Sequence, residues 1–200
     1  MIVAVVGSGG KTSLIKELTS KYRSEGKTVF VTTTTHMMVE EDTLCSDDAN
    51  VILSRMEKDG YVMAGISEGP KIRSLSGETY EAVCRCADVV LVEADGSRHM
   101  PLKYPNATEP VIPDNADEIV VVCGLHALGQ QAKDCIHRRE LVPEHLGIRE
   151  DTVITPELIQ KLLEEAYLKT LAKRYPGIKI SVVPRHDGSL YQRTVAAMLC

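Results

Sequence analysis

Val3–Ser13 reads V-A-V-V-G-S-G-G-K-T-S: an apolar run, a glycine-rich turn, then Lys11, Thr12 and Ser13. Glycines let a backbone curl with its amides pointing inward. A helix that starts there adds unbonded N–H groups and the positive end of its dipole, and Lys11 adds a full charge. An anion of triphosphate type suits such a cradle. Gly7, Ser8, Gly9, Gly10, Lys11, Thr12 and Ser13 are therefore expected to hold phosphates, with the Thr12 hydroxyl on a Mg²⁺ ion. The match is to a shortened phosphate loop, G-x-x-G-K-T from Gly7 to Thr12, because the full G-x-x-x-x-G-K-[ST] pattern needs glycine where Val5 stands. A dinucleotide fingerprint fits worse, since it needs glycine at Thr12 and leaves Lys11 without a role. An ordinary glycine turn is the plain alternative.

Outward from the loop, Ile2–Val6 is continuous and apolar, as in a strand covered on both faces. Leu14, Ile15, Leu18 and Tyr22 follow at helical spacing, and Gly26 closes that helix. Thr28–Thr33 is a β-branched strand, so a parallel βαβ crossover is expected. Between about 36 and 76 the pattern is irregular, with strand candidates at Val51–Leu53 and Tyr61–Ala64 and turns at Asp59-Gly60 and Gly69-Pro70. A helix over about Glu78–Cys86 leads to the strand Val89–Val92, and Ile119–Val122 is a further central strand. Thr155-Pro156-Glu157 opens a helix whose apolar face, Leu158, Ile159, Leu162, Leu163 and Ala166, continues toward Leu171. Pro176-Gly177 ends it before a strand at Ile178–Val183 and a helix at about Leu190–Leu199. Alternating strands and helices predict a three-layer α/β fold of P-loop NTPase type, with a mostly parallel central sheet and the loop at its carboxyl edge, as one domain over residues 1–200.

The chain has 200 residues, 44% of them hydrophobic, and a formal net charge of −5. That acidity argues against a nucleic-acid or membrane-surface binder and favours a small anionic ligand in a local basic pocket. Neither a signal-peptide pattern nor a membrane-length apolar run is visible, which predicts a cytoplasmic protein. The six cysteines, at 45, 84, 86, 123, 135 and 200, lack C-x-x-C spacing and read as free thiols rather than a disulfide frame or a zinc site.

A nucleotide loop calls for an acid near Mg²⁺. The segment Asp88–Arg98, D-V-V-L-V-E-A-D-G-S-R, has the required form, with four apolar residues ending in Glu93 and Asp95. The two carboxylates share a face if the strand persists, and either one orients the attacking group while the other serves the metal shell. A polar pair that simply ends a buried strand is the competing reading. Arg98, His99 and Lys103 then place cations where phosphate oxygens could lie, with Arg98 a candidate for catalysis and Lys103 for binding. Thr34 and His36, from the run Thr32-Thr33-Thr34-Thr35-His36, are binding candidates at a strand end. Arg138, in His137-Arg138-Arg139, is a third candidate cation. Solvated surface charge is the alternative for Arg98, His99 and Lys103, a β-rich strand end with a loop histidine for Thr34 and His36, and a basic helix start on the surface for Arg138.

The runs V-V-G-S-G-G-K-T-S, T-T-T-T-H-M, L-V-E-A-D-G-S-R-H-M-P-L-K, E-P-V-I-P at 109–113, and G-L-H-A-L-G with H-R at 137 together resemble the YqeC family, roughly from Ile2 to Leu158. The short loop itself looks like those of Mur ligases and folylpolyglutamate synthases. The YqeC resemblance implies an accessory role toward selenium-dependent molybdenum hydroxylases, through the molybdenum cofactor or a selenium carrier, in a nucleotide-dependent step. A Mg²⁺-dependent hydrolase or phosphotransferase using ATP or GTP is the leading expectation. The alternatives are a non-catalytic delivery protein for a phosphorylated molybdenum cofactor or a selenium species, and selenium carriage on Cys84, Cys86 or Cys123. Pro184-Arg185-His186-Asp187 stands where a GTPase-like base-reading motif would fall, and only Asp187 fits, so the base stays open.

Overall fold

The structure, a computed structural model, describes residues 1–96 and 98–200. The chain runs β1 (Ile2–Gly7), α1 (Lys11–Ser24), β2 (Val29–Thr33), β3 (His36–Met38), β4 (Leu44–Cys45), α2 (Ala49–Asp59), β5 (Tyr61–Glu68), β6 (Lys71–Arg73), α3 (Gly77–Cys84) and β7 (Val89–Glu93). There follow β8 (Leu102–Lys103), β9 (Glu118–Gly124), α4 (Ala132–Cys135), β10 (Ile136–His137), α5 (Pro156–Leu163), α6 (Lys169–Arg174), β11 (Lys179–Arg185) and α7 (Leu190–Leu199). The main sheet has the order β11-β9-β1-β7-β2-β5-β6-β3, with β4 on β5. Pairing is parallel for β1–β7, β7–β2, β2–β5 and β4–β5, whereas β6 runs antiparallel to β5 and β3. This is the expected α/β fold with a mostly parallel central sheet and helices packed around it.

Two compact units make up the chain. Met1–Val5, Thr12–Gly96 and Val111–Glu118 form one, and the remainder, including Val6–Lys11 and Ile119–Cys200, forms the other. The first unit is built on strands that read as uninterrupted apolar runs because both faces are covered: Val29–Thr33 and Val89–Glu93 are buried at every position. Phe30, Ile52, Val62, Val83 and Val90 meet in its core.

The expected strand at Val51–Leu53 is instead the first part of α2. The Asp48 carboxylate accepts from the N–H groups of Asn50 and Val51, which starts a helix, and Gly60 ends it at φ 67°. Ile52 and Met56 face inward one turn apart while Val51 is 46% exposed, so helical period overrides local β-branching. The irregular stretch resolves into a β5–β6 hairpin through Gly69-Pro70, with β3 on its outer side. β3 begins at His36, so this residue opens a strand of its own rather than ending β2.

In the second unit α5 begins as expected, with the Thr155 hydroxyl accepting from Leu158 N–H and Pro156 in the first turn. A wider π turn over Glu164–Leu168 joins it to α6 and carries both Ala166 and Tyr167 inward, buried as Ile159 and Leu171 are. No helix among the described residues is long and apolar enough to cross a membrane.

Candidate functional site

β1 hands over to the loop at Gly7, whose backbone turns to φ 90°; a Cβ there would lie 2.1 Å from the Val122 carbonyl oxygen. Gly9 is at φ 78°, and its Cβ would stand 2.6 Å from both the Pro101 carbonyl oxygen and the Gly124 Cα. Gly10 is at φ 134°, and its Cβ would lie 2.8 Å from the Arg185 Cγ. All three positions demand glycine, two because backbone approaches and one because a side-chain stem lies across the loop.

Ser8 is turned inward, 1% exposed. Its N–H donates to the Val122 carbonyl at 2.8 Å and its hydroxyl donates to the Met100 carbonyl, so this residue pins the loop to β9 and to the segment before β8. Lys11, 4% exposed, folds back over the loop, and its Nζ donates to the Gly7 carbonyl at 2.7 Å. Thr12 and Ser13, in the first turn of α1, are exposed.

In the first unit Glu93 ends β7, paired in register with Val5, and Ala94 N–H donates to the Val5 carbonyl at 3.0 Å. The strand stops at Glu93, so the alternation that would put Glu93 and Asp95 on one face does not extend to Asp95. Both acids are nonetheless buried, Glu93 at 8% and Asp95 at 0% exposure. Three hydroxyls of the threonine run donate to backbone carbonyls: Thr32 to Ala64, Thr33 to Glu93, and Thr34 to Val111 at 2.6 Å. Thr34 thus ties β2 to the 111–118 segment. His36 Nε2 lies 2.6 Å from Glu68 Oε2, an exposed pair.

The candidate cations divide. Lys103, on β8, lies 2.6 Å from Glu109 Oε2, and Arg138 Nη1 binds the same oxygen. Burial alone would raise the Glu109 carboxyl, but Arg138 and Lys103 together hold it below its ordinary value. Between these cations His137 is held below its ordinary value, by burial first and then by Arg138, Lys103 and Arg98, and is neutral at pH 7. Arg98 is exposed at φ 47°. Ser97, inside the quoted E-A-D-G-S-R run, lies outside the described residues. Burial pushes the Cys84 thiol up to about 11 and Cys123 up to about 12, so neither is a thiolate at neutral pH, while Cys86 is exposed.

Sequence reasoning passed over two residues. Glu109, read only as part of E-P-V-I-P, is the hub of the Lys103 and Arg138 pair and precedes a cis proline, Pro110. Arg185, read only as a poor fit to a base-reading motif, lies on Gly10. Asp187, the residue that did fit, accepts from Ser189 N–H at 2.8 Å in an exposed turn. An arginine closing an apolar strand was the available signal for Arg185.

Among the described residues no group of three or more His, Cys, Asp or Glu side chains is gathered for a metal ion. Mg²⁺ carried on phosphates needs only one or two protein oxygens, and in the first unit the exposed Thr12 hydroxyl and the buried Glu93 and Asp95 carboxylates have the chemistry it takes.

A family model described as "YqeC protein" matches residues 3–140, which takes in the loop, Glu93, Asp95, Lys103 and Arg138 but not Arg185. A curated protein of Escherichia coli (strain K12), "Uncharacterized protein YqeC", is 32% identical over 163 residues, covering 76% of this chain and 63% of the relative, so the chain spans less than two thirds of that relative's length. The motif runs, the parallel sheet and a match over most of the chain agree: this chain belongs to the YqeC family.

Proposed function

We propose that the chain binds a Mg²⁺-bound nucleoside triphosphate, ATP or GTP, on the Gly7–Ser13 loop, and that it hydrolyses or transfers the terminal phosphate as an accessory to the maturation of selenium-dependent molybdenum hydroxylases. One observation carries this reading: three glycines at positive φ form a cradle with no room for a Cβ, and the buried Lys11 is folded over it. Such a loop presents backbone amides and a cation to one small anion. Lys11 exchanges the Gly7 carbonyl for phosphate oxygens, the loop amides and the α1 dipole take the remaining charge, and Thr12 holds the metal together with Glu93 or Asp95. Mg²⁺, when bound, neutralises charge on the phosphates. The other carboxylate orients the attacking group. The family resemblance supports the accessory role, with the molybdenum cofactor or a partner hydroxylase as acceptor.

Titration calorimetry with Mg-ATP and Mg-GTP tests the binding step. Lys11→Ala is expected to lose about 1.5–3 kcal/mol of charge-assisted binding, roughly ten- to a hundredfold in affinity. Equal affinity in parent and variant removes the assignment. Phosphate release by the parent that vanishes in Glu93→Gln or Asp95→Asn supports turnover, whereas tight binding without release supports a delivery protein.

A further inference from the structure

Among the cations of the second unit, Lys103 and Arg138 converge on Glu109, and Arg98 is exposed. Arg185 is placed differently. It is the last residue of β11 and half-buried, and its aliphatic stem lies over Gly10, with Cγ 2.8 Å and Nε 3.4 Å from the point where a Cβ would stand. The guanidinium therefore starts at the surface of the loop, one residue before Lys11. A side chain at position 10 would drive the stem away, so Gly10 serves two ends: it adopts φ 134° and it leaves room for the arginine.

We propose that Arg185 is the second cation of the phosphate site, with its planar fork on the terminal phosphate of a bound nucleoside triphosphate. This rests on the nucleotide reading of the loop. Charge and geometry support it. A Mg²⁺-bound triphosphate keeps an excess of negative charge that Lys11 alone does not balance, and a guanidinium matches two phosphate oxygens at once where an ammonium meets them as a point charge. A residue at the end of a strand is also held more firmly than one in a loop, which suits a contact to a single phosphate.

The test compares affinities for triphosphate and diphosphate, ATP against ADP and GTP against GDP, each with Mg²⁺, by titration calorimetry on the full chain. Arg185→Met keeps the stem over Gly10 and removes only the fork. It is expected to weaken triphosphate binding by roughly tenfold or more while changing diphosphate binding much less, which a structural role would not do. Arg185→Lys, with stem and charge but no fork, is expected to fall between parent and Met variant, and it decides the matter if the Met variant does not fold. An unchanged triphosphate-to-diphosphate ratio in the folded variants, with Lys11→Ala weakening both nucleotides, overturns the role of Arg185 and leaves the loop assignment standing. A parent chain that binds neither nucleotide overturns the loop assignment and the Arg185 contact with it.

Discussion

Gly7 and Gly60 both sit in the left-handed region, at φ 90° and 67°, yet they differ in what surrounds them. Nothing lies within 4 Å of a Cβ at Gly60, whereas one at Gly7 meets the Val122 carbonyl oxygen at 2.1 Å. Gly60→Ala is expected to cost about 1–2 kcal/mol, the backbone penalty alone. Gly7→Ala adds a clash that only backbone movement relieves and is expected to cost more than about 3 kcal/mol, read as urea midpoints of the two variants. The glycine spacing was legible in the sequence because the demand for positive φ is local. That the Ser8 hydroxyl turns toward Met100 was not, since its partner lies 92 positions away. Arg185 was hidden for the same reason: a long-range approach leaves no mark in a short motif.

Among the elements, β8 and β10 form a parallel two-stranded ladder, Leu102 with Ile136 and Lys103 with His137. It sets Lys103 and Arg138 against Glu109. The Lys103 side chain is 0% exposed and Glu109 13%, so this group is screened far less than a surface pair. Glu109→Gln is expected to cost about 2–4 kcal/mol in urea denaturation at pH 7, because two cations lose the same carboxylate. Acid reports on the same ladder. Glu109 has a lowered folded pKa, so its contribution is present above 4.5 and is lost as pH falls through the lowered value. His137 is also lowered from 6.5, so below that pH protonation favours the unfolded chain and stability falls. Urea midpoints of Glu109→Gln and His137→Gln across pH 3.5–8, each flattened in its own window, check both signs. Within the first unit, the strand-like trio Val51-Ile52-Leu53 misled because apolar β-branched residues suit a buried helix face as well as a strand. Only the Asp48 cap and the Ile52–Met56 spacing separate the two.

At the scale of the whole molecule, the repeating strand and helix pattern was enough to foresee a mostly parallel sheet, since parallel neighbours require crossovers. Strand order was not readable, because β1, β7 and β2 become neighbours through contacts separated by dozens of residues. The free thiols provide a check on the packing. Cys45, Cys86 and Cys200 are exposed, whereas Cys123 and Cys135 are buried and Cys84 is half-buried with its thiol pushed up to about 11. A thiol-specific chromogenic reagent at pH 7.5 is expected to modify the first three quickly, and the other three at that rate only after urea unfolds the chain.

Gly7 leans on Val122, and Gly10 on Arg185. During synthesis the loop leaves the ribosome before its supports, which emerge more than a hundred residues afterwards. At about 5–20 residues per second, Gly7 waits roughly 6–23 s for Val122. Nascent chains arrested before β9 should therefore pass over an immobilised triphosphate resin, and capture should begin only once the second half of the protein is outside the exit tunnel. The earliest-made residues of the site are among the last to become competent.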